Sequence, residues 1–247
     1  MILRLIFALC VLVVTAAPAA AARITVAVAS NFLTTAQDIS AVFEAQSGHE
    51  VDLVHGSSGK LFAQISSGAP YDVFLSADRA RPARLVEKGL SADPSPTLYA
   101  LGKLALVHGD ATEAGTLEDI LSRPGIRIAI ADPALAPYGA AAREVLRLTR
   151  RADWDSGVVF AENVGQAFAF VATGNADVGL VALSLALTFE GDIWVMEVPG
   201  TYYQLIEQDA VLLSRAVKNP TARAFLAFLA SNIAAEILAD AGYEVPP

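Results

Sequence analysis

The sequence predicts an α/β protein of two lobes, each a mainly parallel sheet flanked by helices, with a ligand cleft between them. Three observations carry this reading. Strand-like and helical segments alternate along nearly the whole chain, and such alternation favours a parallel sheet covered on both faces. The Pro-rich stretch SADPSPTLYA interrupts the alternation, and a second series of strand–helix units follows it. A last strand and a long helical stretch then close the chain. The first lobe is therefore expected at 23–101 completed by 204–247, and the second at 102–203.

The elements follow in order. The first residues, MILRLIFALCVLVVTAAPAAAA, combine a basic Arg4, an apolar run and a small-residue end that fits an Ala-x-Ala cleavage site. They read as a secretory signal peptide at 1–22, too short and wrongly flanked for a membrane span. Cleavage leaves 225 residues, removes the single cysteine, Cys10, and takes the formal charge from −9 to −10. The mature chain is expected in the periplasm, as a monomer without disulfides. So acidic a chain is a poor partner for nucleic acid or anionic membrane surfaces.

From Arg23, RITVAVAS alternates as a strand, and the following segment sets Phe32, Ala36, Ile39 and Phe43 on one helical face that ends at Gly48. HEVDLVHG reads as a strand leading to a short helix with Leu61 and Ile65 in register. YDVFLSAD is a third strand, followed by a helix through RPARLVEKG. In the second series KLALVHG, IRIAIADP, SGVVFAEN and ADVGLVALS read as strands. TLEDILSR, YGAAAREVLRLTR and VGQAFAFVATGN read as helices. YYQLIEQDAVLLS returns as a strand, and NPTARAFLAFLASNIAAEILADAGY is expected as one amphipathic helix after an Asn219-Pro220 start.

The loop VHGSSGKLFAQ resembles a nucleotide phosphate cradle but lacks its spacing. A P-loop needs a glycine five residues before its Gly-Lys pair and Ser or Thr after it; here those positions hold Val54 and Leu61. What remains is a strand running into a helix N-terminus, where free amides and the helix dipole favour an anion. Ser57 or Ser58 also reads as an N-cap.

Ligands of open parallel sheets bind beyond the carboxyl ends of the strands. Read together, those ends carry Ser30-Asn31, Ser57-Ser58-Gly59, Pro137-Tyr138-Gly139, and Asn163-Val164. All are neutral and mostly hydrogen-bond donors, which suits a fully ionised oxyanion that only accepts. Asp132 and Glu162, the nearest acids, read as structural. Hydrogen bonds to a charged group contribute about 1.5–3 kcal/mol each, so five to seven suffice, after roughly 4–15 kcal/mol of association cost, for sub-micromolar binding without a lysine. The three histidines show no metal-ligand spacing, so no bare metal cation is expected. Tyr202-Tyr203 are candidates for a hinge. A serine hydrolase is the competing class, but no base and orienting acid pair with Ser30 or Ser58.

Taken in order, VAVASNF, HGSSGKLFAQISSGAPYDVFLSAD, ADPALAPYGAAAREVL, ENVGQAFAFVATGNADVGLVALS and GYEVP span nearly the entire mature chain. Together they resemble the periplasmic molybdate-binding proteins of ABC transporters. The resemblance implies a two-lobed, type II-like periplasmic binding fold without enzymatic activity or cofactor. Its ligand would be molybdate or tungstate, with molybdenum present only as the oxyanion, handed to a membrane permease. It implies ligand contacts at Ser30, Asn31, Ser58, Tyr138 and, through its backbone amide, Val164. One branch of that family carries a ligand tyrosine where this chain has Ala182, and the Tyr138 hydroxyl is expected to replace it. Sulfate, thiosulfate or another small anion is the alternative cargo. Ser58→Ala is expected to weaken binding with little change in stability.

Overall fold

A computed structural model describes residues 21–113, 115–150 and 154–246. The leader expected at 1–22 lies, apart from Ala21 and Ala22, outside them. Among the described residues ten strands form two sheets, and each sheet with its helices makes one lobe.

In the first lobe β1 (Arg23–Ala29), β2 (Glu50–Gly56), β3 (Val73–Leu75), β4 (Thr97–Gly102) and β10 (Ile206–Leu212) lie in the order β2-β1-β3-β10-β4. Pairings β1–β2 and β1–β3 are parallel, while β10 runs antiparallel to both β3 and β4. Four of the five strands thus share one direction, as the sequence predicts. The second lobe repeats the plan with β5 (Leu104–His108), β6 (Ile128–Ala131), β7 (Val158–Ala161), β8 (Val178–Ala182) and β9 (Trp194–Glu197), ordered β7-β6-β8-β5-β9. There β5 is the reversed strand.

The period of two in β1 sorts its side chains onto two faces. Ile24, Val26 and Val28 join the core under helices α1 (Leu33–Ser47), α8 (Pro220–Leu229) and α9 (Asn232–Asp240), whereas Ala27 joins Leu61, Phe74 and Leu85 on the opposite face. That second face carries α2 (Ser58–Ser66) and α3 (Ala80–Glu87). Around the second sheet stand α4 (Leu117–Leu121), α5 (Pro137–Arg150), α6 (Val164–Ala172) and α7 (Leu183–Leu187). Helix α1 stops where the sequence predicts, because Gly48 takes a left-handed φ of 70° that costs a glycine nothing.

Two expectations change. The terminal stretch is not one helix but two, bent by 57°. The first ends at Leu229, and Ser231 caps the second, its side chain accepting from Ala234 N–H at 3.2 Å. The Pro-rich stretch is not only a divider: its end forms β4, an edge strand, where the prolines at 94 and 96 fall just outside the ladder.

Candidate functional site

Each of the four turns is positioned by its strand and held by a specific local device. Ser30 and Asn31 stand on a short 3-10 turn (Ser30–Phe32) directly after β1. Phe32, fully buried, packs edge-on against Tyr99 and Tyr243 at ring separations of 4.9 and 5.3 Å. Such pairs add about 0.5–1.5 kcal/mol each beyond area burial.

At the second turn Ser57 is the N-cap, accepting from Lys60 N–H at 3.4 Å. Ser58 is therefore the first residue of α2 and has a different task. Its Oγ accepts the buried Ala77 N–H at 3.0 Å. The hydroxyl proton has no protein acceptor among the described residues. Asn163 caps α6, accepting from Gln166 N–H at 3.0 Å, which leaves Val164 at the first helical position.

At the remaining turn Pro137 starts α5, where its missing N–H costs nothing. Tyr138 follows with its N–H in the first turn. The N–H groups of Ser58, Tyr138 and Val164 precede any intrahelical acceptor, and no other backbone acceptor meets them among the described residues.

These residues converge. Ser30, Asn31, Ser58, Tyr138 and Val164 all line one small cavity, together with Ala29, Gly56, Ser57, Ala77, Ala136 and Pro137. It is far smaller than the roughly 300–1,000 Å³ pockets that take drug-sized ligands. No charged side chain lines it. What the cavity offers is hydroxyls and helix-start amides from both lobes, an environment for one small, fully ionised anion.

Behind the cavity lies a buried polar network that sequence reading missed. Gln208, on β10 and fully buried, accepts from Asn31 Nδ2 at 2.9 Å and from the Tyr99 hydroxyl at 3.1 Å. It donates across the lobes to the Tyr138 hydroxyl at 3.4 Å. Asn31 spends its second side-chain proton on the Tyr243 hydroxyl at 3.1 Å, so both amide hydrogens are committed to the protein. The Asn31 carbonyl accepts from Tyr243 at 2.8 Å and from Ser184 Oγ, a residue of the other lobe, at 3.1 Å. These bonds pin the turn carrying Ser30 and Asn31.

The Tyr138 hydroxyl is held at Gln208 and sits where a side chain on Gly102 would begin, 2.1 Å from that Cβ position. Burial pushes its pKa well above the ordinary tyrosine value, and nearby Tyr243 adds to the shift, so it stays neutral. Among the residues read as structural, Asp132 accepts Ala134 N–H at 2.8 Å within its turn. Glu162 instead pairs with Lys60 across the cleft. His108 accepts Asp110 N–H at 2.9 Å, a turn contact. Tyr203 accepts Leu104 N–H at 3.0 Å where the chain passes from β4 to β5, and Tyr202 donates to Glu118.

The lobes also meet at the mouth of the cleft. Gly59 N–H donates to Leu135 O at 2.9 Å, and Arg81 Nη2 to Ala134 O at 3.2 Å.

Comparison with known proteins identifies the family and the fold. A family model described as "Bacterial extracellular solute-binding protein" matches residues 24–244. The molybdate-binding protein ModA of Rhodobacter capsulatus is 42% identical over 92% of this chain and 90% of its own length. That of Azotobacter vinelandii is 40% identical over 92% of each chain. The solved structure of the Azotobacter vinelandii periplasmic molybdate-binding protein superposes with a TM-score of 0.84 at 36% identity, covering 91% of this chain and 100% of its own. The sulfate-binding protein SubI of Mycobacterium tuberculosis shares the fold, with a TM-score of 0.77 at 18% identity over 91% of this chain and 87% of its own.

Proposed function

The chain belongs to the bacterial extracellular solute-binding proteins, and from that premise we propose that it captures molybdate outside the cytoplasm for the membrane permease of an ABC transporter. The observation that carries this is the small uncharged cavity between the lobes, lined by neutral donors from both. Ser30 and Ser58 serve through their hydroxyls. Asn31 and Val164 serve through backbone N–H, since both Asn31 side-chain amide hydrogens are committed to Gln208 and Tyr243; Tyr138 serves through its N–H and through its hydroxyl, which only accepts from Gln208 and keeps a proton to donate. Tungstate, with the same shape and charge, is a second cargo.

The absence of a carboxylate from the lining bears on selectivity. Phosphate near neutral pH still carries a proton, and a cavity of donors offers that proton no acceptor, which disfavours it. Sulfate meets no such mismatch and is discriminated by size alone. The sheet memberships support, to within a residue, lobes at 23–101 with 204–247 and at 102–203, since Gly102 still pairs with Ile206 in the first sheet; the protein acts as a monomer in the periplasm after loss of its leader.

Titration calorimetry on the mature protein, stripped of ligand by unfolding and refolding, tests the cargo. Molybdate and tungstate are expected to bind below micromolar Kd, with sulfate and phosphate weak or undetectable. Preference for sulfate would overturn the cargo and leave the fold and family untouched.

A further inference from the structure

Lys60 and Gly59 follow the ligand-cavity serines, yet neither lines the cavity. Both face the other lobe. Lys60 meets Glu162, with about half of each side chain exposed, and such pairs contribute little. Gly59 differs because its contacts are backbone. Its N–H donates to Leu135 O at 2.9 Å. A Cβ on Gly59 would stand 2.8 Å from Leu135 O and 3.1 Å from Leu135 Cα, both across the cleft, and 3.1 Å from Arg81 Nη2. Gly59 lies inside α2 and is not among the glycines with positive φ. Any residue could adopt its backbone conformation, and apart from Arg81 none of those near atoms belongs to its own lobe.

We infer that Gly59 is the position that permits the lobes to shut: the backbone its missing side chain makes room for is Leu135 of the other lobe, with only the Arg81 side chain near it in its own lobe. Arg81, donating to Ala134 O at 3.2 Å, lies beside the same approach. The proposal rests on the reading that the cleft closes over molybdate, and it makes Gly59 a positioning residue that sets affinity without touching the ligand. A side chain there leaves capture by one lobe intact and prevents the second from completing the cradle.

The test is Gly59→Ala in the mature protein, with molybdate as the probe. Kd is measured by calorimetry, association and dissociation rates by stopped flow, and the melting midpoint without ligand. Kd is expected to rise about tenfold or more, as overpacking of a close contact implies, with the change carried by faster dissociation. The ligand-free midpoint is expected to hold or rise, because alanine is the better helix former. An unchanged Kd overturns the inference, and so does a lowered ligand-free midpoint, which would show that the lobe itself needs the glycine. Failure of the parent protein to bind molybdate overturns the functional reading instead.

Discussion

Replacement of Ser58 by alanine is expected to weaken molybdate binding by about 1.5–3 kcal/mol, roughly 10- to 150-fold in Kd. It is also expected to lower the stability of the ligand-free protein by about 1–3 kcal/mol. Two partners depend on one oxygen. Toward the cavity, the hydroxyl proton is available to an anion, and hydrogen bonds to charged groups are the stronger class. Toward the protein, Oγ accepts the Ala77 N–H at 3.0 Å, and Ala77 is only 2% exposed. Alanine leaves that N–H buried without an acceptor. The sequence alone predicts an effect on binding and little on stability; the Ala77 bond adds the second cost. Calorimetry and urea denaturation measure the two separately. Unchanged affinity would reduce Ser58 to a support for Ala77.

Gly139→Ala is expected to destabilise the second lobe by about 1–3 kcal/mol or more. A Cβ there would lie 2.2 Å from Ala131 O and 2.8 Å from Ala131 C, with Asp132 C at 3.0 Å. All three are backbone atoms at the end of β6, so no rotamer change relieves the overlap. Helix α5 must move away from the sheet, carrying the Tyr138 N–H with it, and molybdate affinity falls with stability. This is the converse of Gly59, where alanine spares the ligand-free protein because the conflict lies across the cleft. A denaturation midpoint equal to that of the parent would contradict the close helix–strand packing at Gly139.

The elements legible in the sequence are those whose signals are local. The alternation in RITVAVAS, the apolar face of α1 and the stop at Gly48 depend on neighbours a few residues away. The four turns were legible for a related reason: a strand end running into small polar residues and a helix start is a short pattern, and the fold places such ends together. The strands missed were β4, hidden behind its prolines, and β9, an edge strand of four residues. Also missed was the break at Ser231, where helical periodicity continues on either side of the cap.

The network behind the site was out of reach for a different reason. Gln208 and Asn31 are 177 residues apart in sequence, and Tyr243 and Asn31 are 212 apart. Nothing near Gln208 marks it as a buried hydrogen-bond hub, because an alternating strand tolerates glutamine on an exposed face equally well. Only the pairing of β10 between β3 and β4 buries it. Lys60 illustrates the same point: its partner Glu162 becomes a neighbour only when the two lobes face each other.

If donors from both lobes hold the anion, binding must shut the cleft. Small-angle X-ray scattering on the stripped mature protein, with and without saturating molybdate, measures that closure. A smaller radius of gyration and a shorter maximum dimension are expected on addition of molybdate. Superimposable profiles at a concentration shown by calorimetry to saturate the protein would contradict it.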